Sequence, residues 1–268
     1  MTDWLATCRA AVEDVRQLLV ELPTRTEREP VLGAGVGGDE TTAIDAAAEG
    51  AIVKRLEAVH RDGTEFTLVS EELGERAFGS GELWVVVDPI DGSVNAKRGI
   101  PFFSLSLAVG NGPRMGDIFF GYVYDFGSGE EWTAERGGGT HLNGVPLGPT
   151  RPKEEIEILS FEATVTPRIA DHVEAFRGLA ERLRVMGSLA LSLCHLAAGR
   201  VDAVCSLKPA RAVDIAAAQL FVRESGLAID LPDAPPFDAA PLDTVGRSRV
   251  VAAATPDLCK RLFAALSS

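Results

Sequence analysis

Trp84-Val85-Val86-Val87-Asp88-Pro89-Ile90-Asp91-Gly92-Ser93-Val94-Asn95 (residues 84–95) begins as an apolar run and ends in two acids, a glycine and a hydroxyl residue. The run reads as a strand that delivers Asp88 to its C-terminal end. Pro89 keeps Asp88 out of helical backbone conformation and removes a backbone donor, so the chain is expected to turn there. Asp88 and Asp91 then point into one pocket, the Ile90 carbonyl adds a neutral oxygen, and Gly92 lets backbone N–H groups approach an anion closely. Asp-Pro and Asp-Gly are common turn dipeptides, and either one alone reads as a capped turn. A strand that ends in the whole cluster points instead to a cation site of hard oxygens. An EF-hand arrangement fails, because the acids lack alternating spacing and the twelfth position counted from Asp88 is Gly99 rather than Glu.

Two further acids stand at comparable places. Residues 66–69 read as a strand that runs into Ser70-Glu71-Glu72, either a second strand-end cluster or a solvated loop. Val213-Asp214-Ile215 places an acid at a helix start, where Asp214 either caps the helix or faces the pocket.

The surrounding periodicity gives the fold class. Apolar residues at helical spacing predict a helix over 5–22, ended by Pro23, and a second over 44–56. Between them, 30–42 is Gly-rich and reads as a mobile loop. Short β-rich runs at 66–69, 83–87, 103–109 and 118–125, without long helices between them, indicate a largely antiparallel or mixed sheet. Asn143-Gly144 is a hairpin signal. The second part reads as a strand over 156–161, helices over 169–183, 188–198 and 214–225, a surface loop over 232–241, and a capped helix start at Thr255-Pro256-Asp257. Two α+β halves follow, with the split near 145–155.

The chain of 268 residues is long enough for one large α/β domain or two intimately packed ones. A net charge of −13 argues against nucleic acid or an anionic membrane as partner, since both are bound through basic surfaces. An anionic substrate would need bound cations to invert the local charge, which gives clustered Asp and Glu a use. Cys8, Cys194, Cys205 and Cys259 show no paired metal spacing and read as reduced structural thiols. His60, His141, His172 and His195 are scattered and offer no zinc site. Without a signal-like start or a membrane-length apolar run, the expectation is a soluble, cytoplasmic protein.

The stretch 84–95 resembles the first signature of the inositol monophosphatase superfamily, and 212–226 resembles its second. The likeness continues in order through residues 38–45, Ser70-Glu71-Glu72, Arg98-Gly99-Ile100-Pro101, Leu142-Asn143-Gly144 and Gly187-Ser188-Leu189-Ala190. The Gly-Gly-Asp loop, residues 95–101 and Arg211-Ala212-Val213-Asp214 are most similar to the archaeal-type enzymes acting on both inositol monophosphate and fructose 1,6-bisphosphate. The resemblance implies an αβαβα five-layer sandwich of the sugar-phosphatase type, with a mixed, largely antiparallel sheet and a second smaller sheet. Residues 1–150 would form the metal-binding half, and 151–268 would contribute Asp214 and substrate contacts.

The same resemblance implies Mg²⁺-dependent hydrolysis of a phosphate monoester of a small sugar or polyol by a metal-activated water. Two or three Mg²⁺ ions, or Mn²⁺, would be held by Glu71, Asp88, Asp91, Asp214 and the Ile90 carbonyl, with Glu71 also counted among the catalytic residues. Backbone N–H groups of Gly92 and Ser93 would cradle the phosphate. The Ser93 hydroxyl, where Thr is usual, would pair with Asp45 to orient the water. Asp39 would lie in a mobile loop over the site, and Ser188, Lys208 and Arg211 would meet the substrate. A homodimer and Li⁺ sensitivity are also implied. Ala218, Ala96 and Leu207 depart from the family pattern and bear on inositol selectivity. Nucleotide 3′-phosphates and histidinol phosphate are substrates of other relatives. Two readings of other kinds compete. A haloacid-dehalogenase-type phosphatase needs two acids one residue apart, whereas two residues separate Asp88 from Asp91. A nucleotide-binding module would use Gly33, Gly35 and Gly38, but no strand precedes them and no apolar helix follows.

Overall fold

The structure, a computed structural model, describes residues 2–36, 40–148, 153, 155–162 and 165–267. In chain order its helices are α1 (Trp4–Glu21), α2 (Arg25–Arg28), α3 (Ala43–Arg61), α4 (Ser93–Arg98), α5 (Thr166–His172), α6 (Leu189–Ala197), α7 (Ala212–Ile215), α8 (Ala218–Glu224) and α9 (Pro256–Leu266). The first ten strands are β1 (Val31–Ala34), β2 (Glu40–Thr42), β3 (Phe66–Ser70), β4 (Gly74–Phe78), β5 (Leu83–Asp91), β6 (Ser104–Gly110), β7 (Ile118–Asp125), β8 (Glu131–Glu135), β9 (Gly139–Leu142) and β10 (Val145–Pro146). The remainder are β11 (Ile156–Glu162), β12 (Ala180–Arg184), β13 (Ala203–Ala210), β14 (Ala228–Asp230) and β15 (Ser248–Ala253).

The large sheet runs β10-β9-β8-β7-β6-β5-β3-β4 and the small one β12-β11-β13-β15-β14. In the large sheet only β3 and β5 pair in parallel; in the small one β11 is parallel to both β12 and β13. Side-chain alternation then sorts the core into layers. Val85 and Val87 of β5 join Cys8, Val12 and Val15 of α1 and Ile52 and Leu56 of α3 in one core. Val86, one residue along, joins Leu191 and Leu193 of α6 and Leu220 and Phe221 of α8 in a second. Val204 and Val250 of the small sheet belong to that second core, while Cys205 and Val251 point the other way, into a third with Leu258 and Leu262 of α9. Helices therefore lie outside and between two sheets. Both faces of β5 are covered, and a strand covered on both faces carries a continuous apolar run instead of an alternating one.

Asn143-Gly144 closes the β9–β10 hairpin with both residues at positive φ, 52° and 74°, the primed turn that this dipeptide favours. All four cysteines are buried and free. Three expectations need correction. The stretch 30–42 is not wholly loop: its flanks pair as the β1–β2 ribbon, while Gly37, Gly38 and Asp39 lie outside the described residues. The helix expected over 169–183 ends at His172. Gly178 takes φ +75°, a left-handed conformation that a continuing helix cannot hold, and residues 180–184 become edge strand β12. The helix expected over 214–225 is two short helices, α7 and α8.

Candidate active site

The chain does not leave the sheet at Pro89. Strand β5 continues to Asp91, and Asp88 pairs with Ser106 of β6 while Asp91 pairs with Ser104. Three steps on one strand match two on the other, which is a β-bulge. In a regular strand residues three apart face opposite sides; the extra residue brings Asp88 and Asp91 back to a common side. Because β3 runs parallel to β5 with Ser70 opposite Val87, the next residues, Glu71 and Asp88, stand side by side where β3 ends and β5 enters its bulge.

Each aspartate is anchored through one oxygen. Asp88 Oδ1 accepts the Ile90 N–H at 3.0 Å. Asp91 Oδ2 accepts the Ser188 hydroxyl at 2.5 Å and the Ala190 N–H at 2.8 Å, so the N-terminus of α6 holds it. Asp214 Oδ2 accepts the Arg211 N–H at 2.6 Å, closing a capping box at the start of α7. In each case the second oxygen is the one that can serve an ion.

Arg211 stands among these acids. Its Nη2 lies 2.5 Å from Glu71 Oε1 and 3.0 Å from Asp214 Oδ1, and its side chain is 5% exposed. The electrostatics are those of acids crowded in a dry place. Burial first, then the charges of Glu71, Asp91 and Asp214, lift the Asp88 carboxyl well above its ordinary range. Burial, opposed by the Ser188 hydrogen bond, pushes Asp91 up to about 7. Glu71 is also raised by burial, with Arg211 pulling the other way. Burial opposes the charge on Arg211, yet Asp214 and Glu71 more than offset it and raise its pKa. All donors here are hard oxygens suited to Mg²⁺ or Mn²⁺. A guanidinium already occupies part of the space that such an ion would need, and the raised carboxyls mark a demand for positive charge that it does not fully meet.

The other expected residues are placed as follows. Ser93 is half-buried and donates to the Ile90 carbonyl at 3.0 Å, not to Asp45. Asp45 Oδ2 instead accepts the Thr42 N–H at 3.1 Å and the Thr42 hydroxyl at 2.5 Å as a capping box for α3, while its Oδ1 is buried without a partner. Gly92 takes φ +97° just before α4, where an added Cβ would sit 3.1 Å from the carbonyl oxygens of Gly187 and Phe102. Helix α4 has no side-chain cap, so its first N–H groups find no acceptor on the cap residue. Ser188, expected at the substrate, is buried and spent on Asp91 and on capping α6 through the Leu191 N–H. Lys208 is exposed, and its backbone carbonyl accepts the Ser206 hydroxyl. Ala96, Leu207 and Ala218 are all buried in the cores.

Sequence reasoning passed over two acids behind the site. Glu162, at the end of β11, accepts from Ser160 Oγ (3.0 Å), Ser192 Oγ (2.7 Å) and the Gly187 N–H (2.9 Å), fixing the turn that carries Ser188. Its carboxyl is raised by burial. Glu49 of α3 lies buried beneath Ser70 and the N–H groups of Glu72 and Leu73, close to them but outside hydrogen-bond geometry. An acid at a strand end was the available signal for Glu162, as it was for Glu71. Among the described residues, the one group of three ligating side chains with atoms within 4.8 Å of one another lies elsewhere: Asp125, Glu130 and His195. Its acids are engaged, Asp125 by the Gly127 N–H and Ser128 hydroxyl, and Glu130 by two Arg200 contacts at 2.6 Å. Of the expected ligands, Glu71 and Asp214 contact Arg211, while Asp88 and Asp91 lie close enough to feel the charge of the neighbouring acids.

In sequence and in fold the chain is similar to known proteins. The model of the family described as "Inositol monophosphatase family" matches residues 6–268. A fructose-1,6-bisphosphatase/inositol-1-monophosphatase of Archaeoglobus fulgidus is 34% identical over 224 residues, covering 83% of this chain and 81% of that one. A protein of Pasteurella multocida named Nus factor SuhB is 32% identical over 201 residues, 70% of each chain. The crystal structure of an inositol monophosphatase-fructose 1,6 bisphosphatase superposes with TM-score 0.84 at 27% identity, covering 99% of this chain and all of the other.

Proposed function

The chain belongs to the inositol monophosphatase family, and from that membership and the site geometry we propose that it hydrolyses a phosphate monoester of a small sugar or polyol in a Mg²⁺-dependent reaction. The observation that carries the reading is the arrangement of Glu71, Asp88, Asp91 and Asp214: the three aspartates are each fixed through an oxygen, Glu71 and Asp214 meet at the buried Arg211, and Asp88 and Asp91 lie near enough to feel the neighbouring acids' charge. Residues 1–150 supply Glu71, Asp88, Asp91 and the Ile90 carbonyl, and residues 151–268 supply Asp214. Bound divalent ions contribute charge neutralisation on the phosphoryl group and activation of water.

The chain's own residues do the rest. The α6 N-terminus and Ser188 orient Asp91 and offset part of the cost of ionising it in a buried place. The left-handed backbone at Gly92 turns the uncapped start of α4 outward, where the Gly92 and Ser93 N–H groups meet phosphate oxygens. Ser93, donating to the Ile90 carbonyl, can rotate to orient a water, with the unpartnered Asp45 Oδ1 as acceptor. No protein nucleophile is required, which separates this site from aspartyl-phosphate chemistry. The deciding experiment is a phosphate-release screen over inositol 1-phosphate, fructose 1,6-bisphosphate, histidinol phosphate and a nucleotide 3′-phosphate, with Mg²⁺ and with EDTA. Release from a sugar or polyol ester only with Mg²⁺ is expected; release from none of them would overturn the reading.

A further inference from the structure

The positive charge at the centre of this acidic site belongs to the chain itself. Arg211 Nη2 touches Glu71 Oε1 and Asp214 Oδ1, and Nε lies 3.4 Å from Asp214 Oδ2. The two acids come from opposite ends of the fold, one after β3 and the other in α7. One buried guanidinium therefore ties them together. Its backbone is fixed independently, because the Arg211 N–H caps into Asp214; the side chain can leave without the main chain moving.

We propose that Arg211 is a resident counter-cation that a divalent ion must displace, so that cation loading and the Arg211 contacts to Glu71 and Asp214 exclude each other. The inference rests on the reading of Glu71 and Asp214 as ion ligands. Its physical basis is simple. A guanidinium N–H and a small hard cation compete for the same lone pairs, and two positive centres a few ångströms apart in a buried pocket repel strongly. Without a bound ion, Arg211 keeps Glu71, Asp88 and Asp214 from facing one another unscreened. With one, it is released with its full charge and its planar fork of donors, the geometry that suits an anionic group of a substrate. Cation binding is then the event that frees the substrate-facing arginine, and it weakens the ion's own apparent affinity by the work of displacing it.

The test measures Mn²⁺ binding alone, with no substrate, by the electron paramagnetic resonance of free Mn²⁺, for the wild type, Arg211→Met and Arg211→Lys. Arg211→Met is expected to bind Mn²⁺ about tenfold more tightly, within the usual range of such couplings, while its ion-free form melts at a lower temperature. Arg211→Lys, with one compact charge, falls between. Equal or weaker Mn²⁺ binding by Arg211→Met overturns the proposal, since Arg211 would then be organising the ligands instead of competing for them. Absence of Mn²⁺ binding in all three proteins removes the underlying ligand assignment too, and so marks a different failure. A measurement without substitution covers the case of a variant that does not fold. The Arg211 Nε–H resonance of ¹⁵N-labelled protein is expected to be protected from exchange in EDTA and to lose that protection at saturating Mg²⁺. Unchanged protection at saturation overturns the proposal.

Discussion

Replacing Asp91 by Asn separates the site's chemistry from its cost to the fold. Asn has the same shape, and its carbonyl oxygen can accept the Ser188 hydroxyl and the Ala190 N–H that Asp91 Oδ2 accepts now. The fold should survive, while a proposed ion ligand loses its charge. The energetic effect can be worked from the carboxyl's position. Burial moves its midpoint from 3.8 to about 7, so the ionised form is disfavoured in the folded state by about 4 kcal/mol. The sign follows from linkage: a raised folded-state pKa gives stability that is complete below the unfolded value near 4 and lost as pH rises through about 7. Asn pays none of this. In EDTA at pH 8, Asp91→Asn should therefore melt on the order of 10 °C above wild type, at roughly 2–4 °C per kcal/mol for a chain of this size. At pH 5 the wild-type carboxyl is protonated when folded, and the advantage should shrink to about 1–2 kcal/mol. Phosphate release with Mg²⁺ should be abolished at both pH values. Thermal unfolding across pH and a turnover assay check the two halves together. A variant less stable than wild type at pH 8 would refute the electrostatic reasoning, and wild-type turnover would refute the functional one.

Three further outcomes are expected. Glu162→Ala should lower stability by about 2–4 kcal/mol, because it strands the Ser160 and Ser192 hydroxyls and the Gly187 N–H, and should reduce kcat by loosening the turn behind Asp91; Glu162→Gln, which keeps an acceptor, should recover most of both in melting and kinetic assays. Gly92→Ala should cost about 1–3 kcal/mol by forcing a left-handed backbone on an L side chain, with its Cβ crowding Gly187 and Phe102, and should raise KM for the phosphate ester. Melting of the wild type in EDTA should fall between pH 5 and pH 8 as Asp88, Asp91 and Glu71 ionise against their raised midpoints, and saturating Mg²⁺ should flatten that slope; an equal slope in both conditions would show that the acids do not share an ion.

The strand-end acids were legible in the sequence because their signal is local: an apolar run covered on both faces, then Asp, Pro and Gly in order. The hairpin at Asn143-Gly144 was legible for the same reason, since two positive-φ residues define its turn. The misread region at 169–183 failed where a tertiary effect decides. Apolar residues there fit helical spacing, but Phe176 is anchored in the third core and residues 180–184 pair in parallel with β11. Pairing partners that lie far away in the chain leave no local trace. The same holds for the surroundings of Arg211, which the family resemblance set at the substrate and not among the acids. Its burial against Glu71, 140 residues away, depends on how β13 delivers it beside β3 and β5.

At Asp214, where the sequence posed a choice between helix cap and pocket ligand, the structure shows a division of labour that reaches beyond that residue. A carboxylate has two oxygens, and here Oδ2 caps α7 while Oδ1 faces Arg211 and Glu71. The same division recurs at Asp88, held through Oδ1 by the bulge of β5, and at Asp91, held through Oδ2 by the start of α6. Three unrelated backbone features thus do one job: each spends a single oxygen on local structure to fix where the other points. A free aspartate on a loop would lose rotamer freedom when it bound an ion; these three have already lost it on folding. That explains why acids at a bulge, a cap and a helix start suit ion binding better than acids in a solvated loop. It also explains why the capping and ligand readings of such residues are not alternatives. On the proposed reading, the cap is what prepares the ligand.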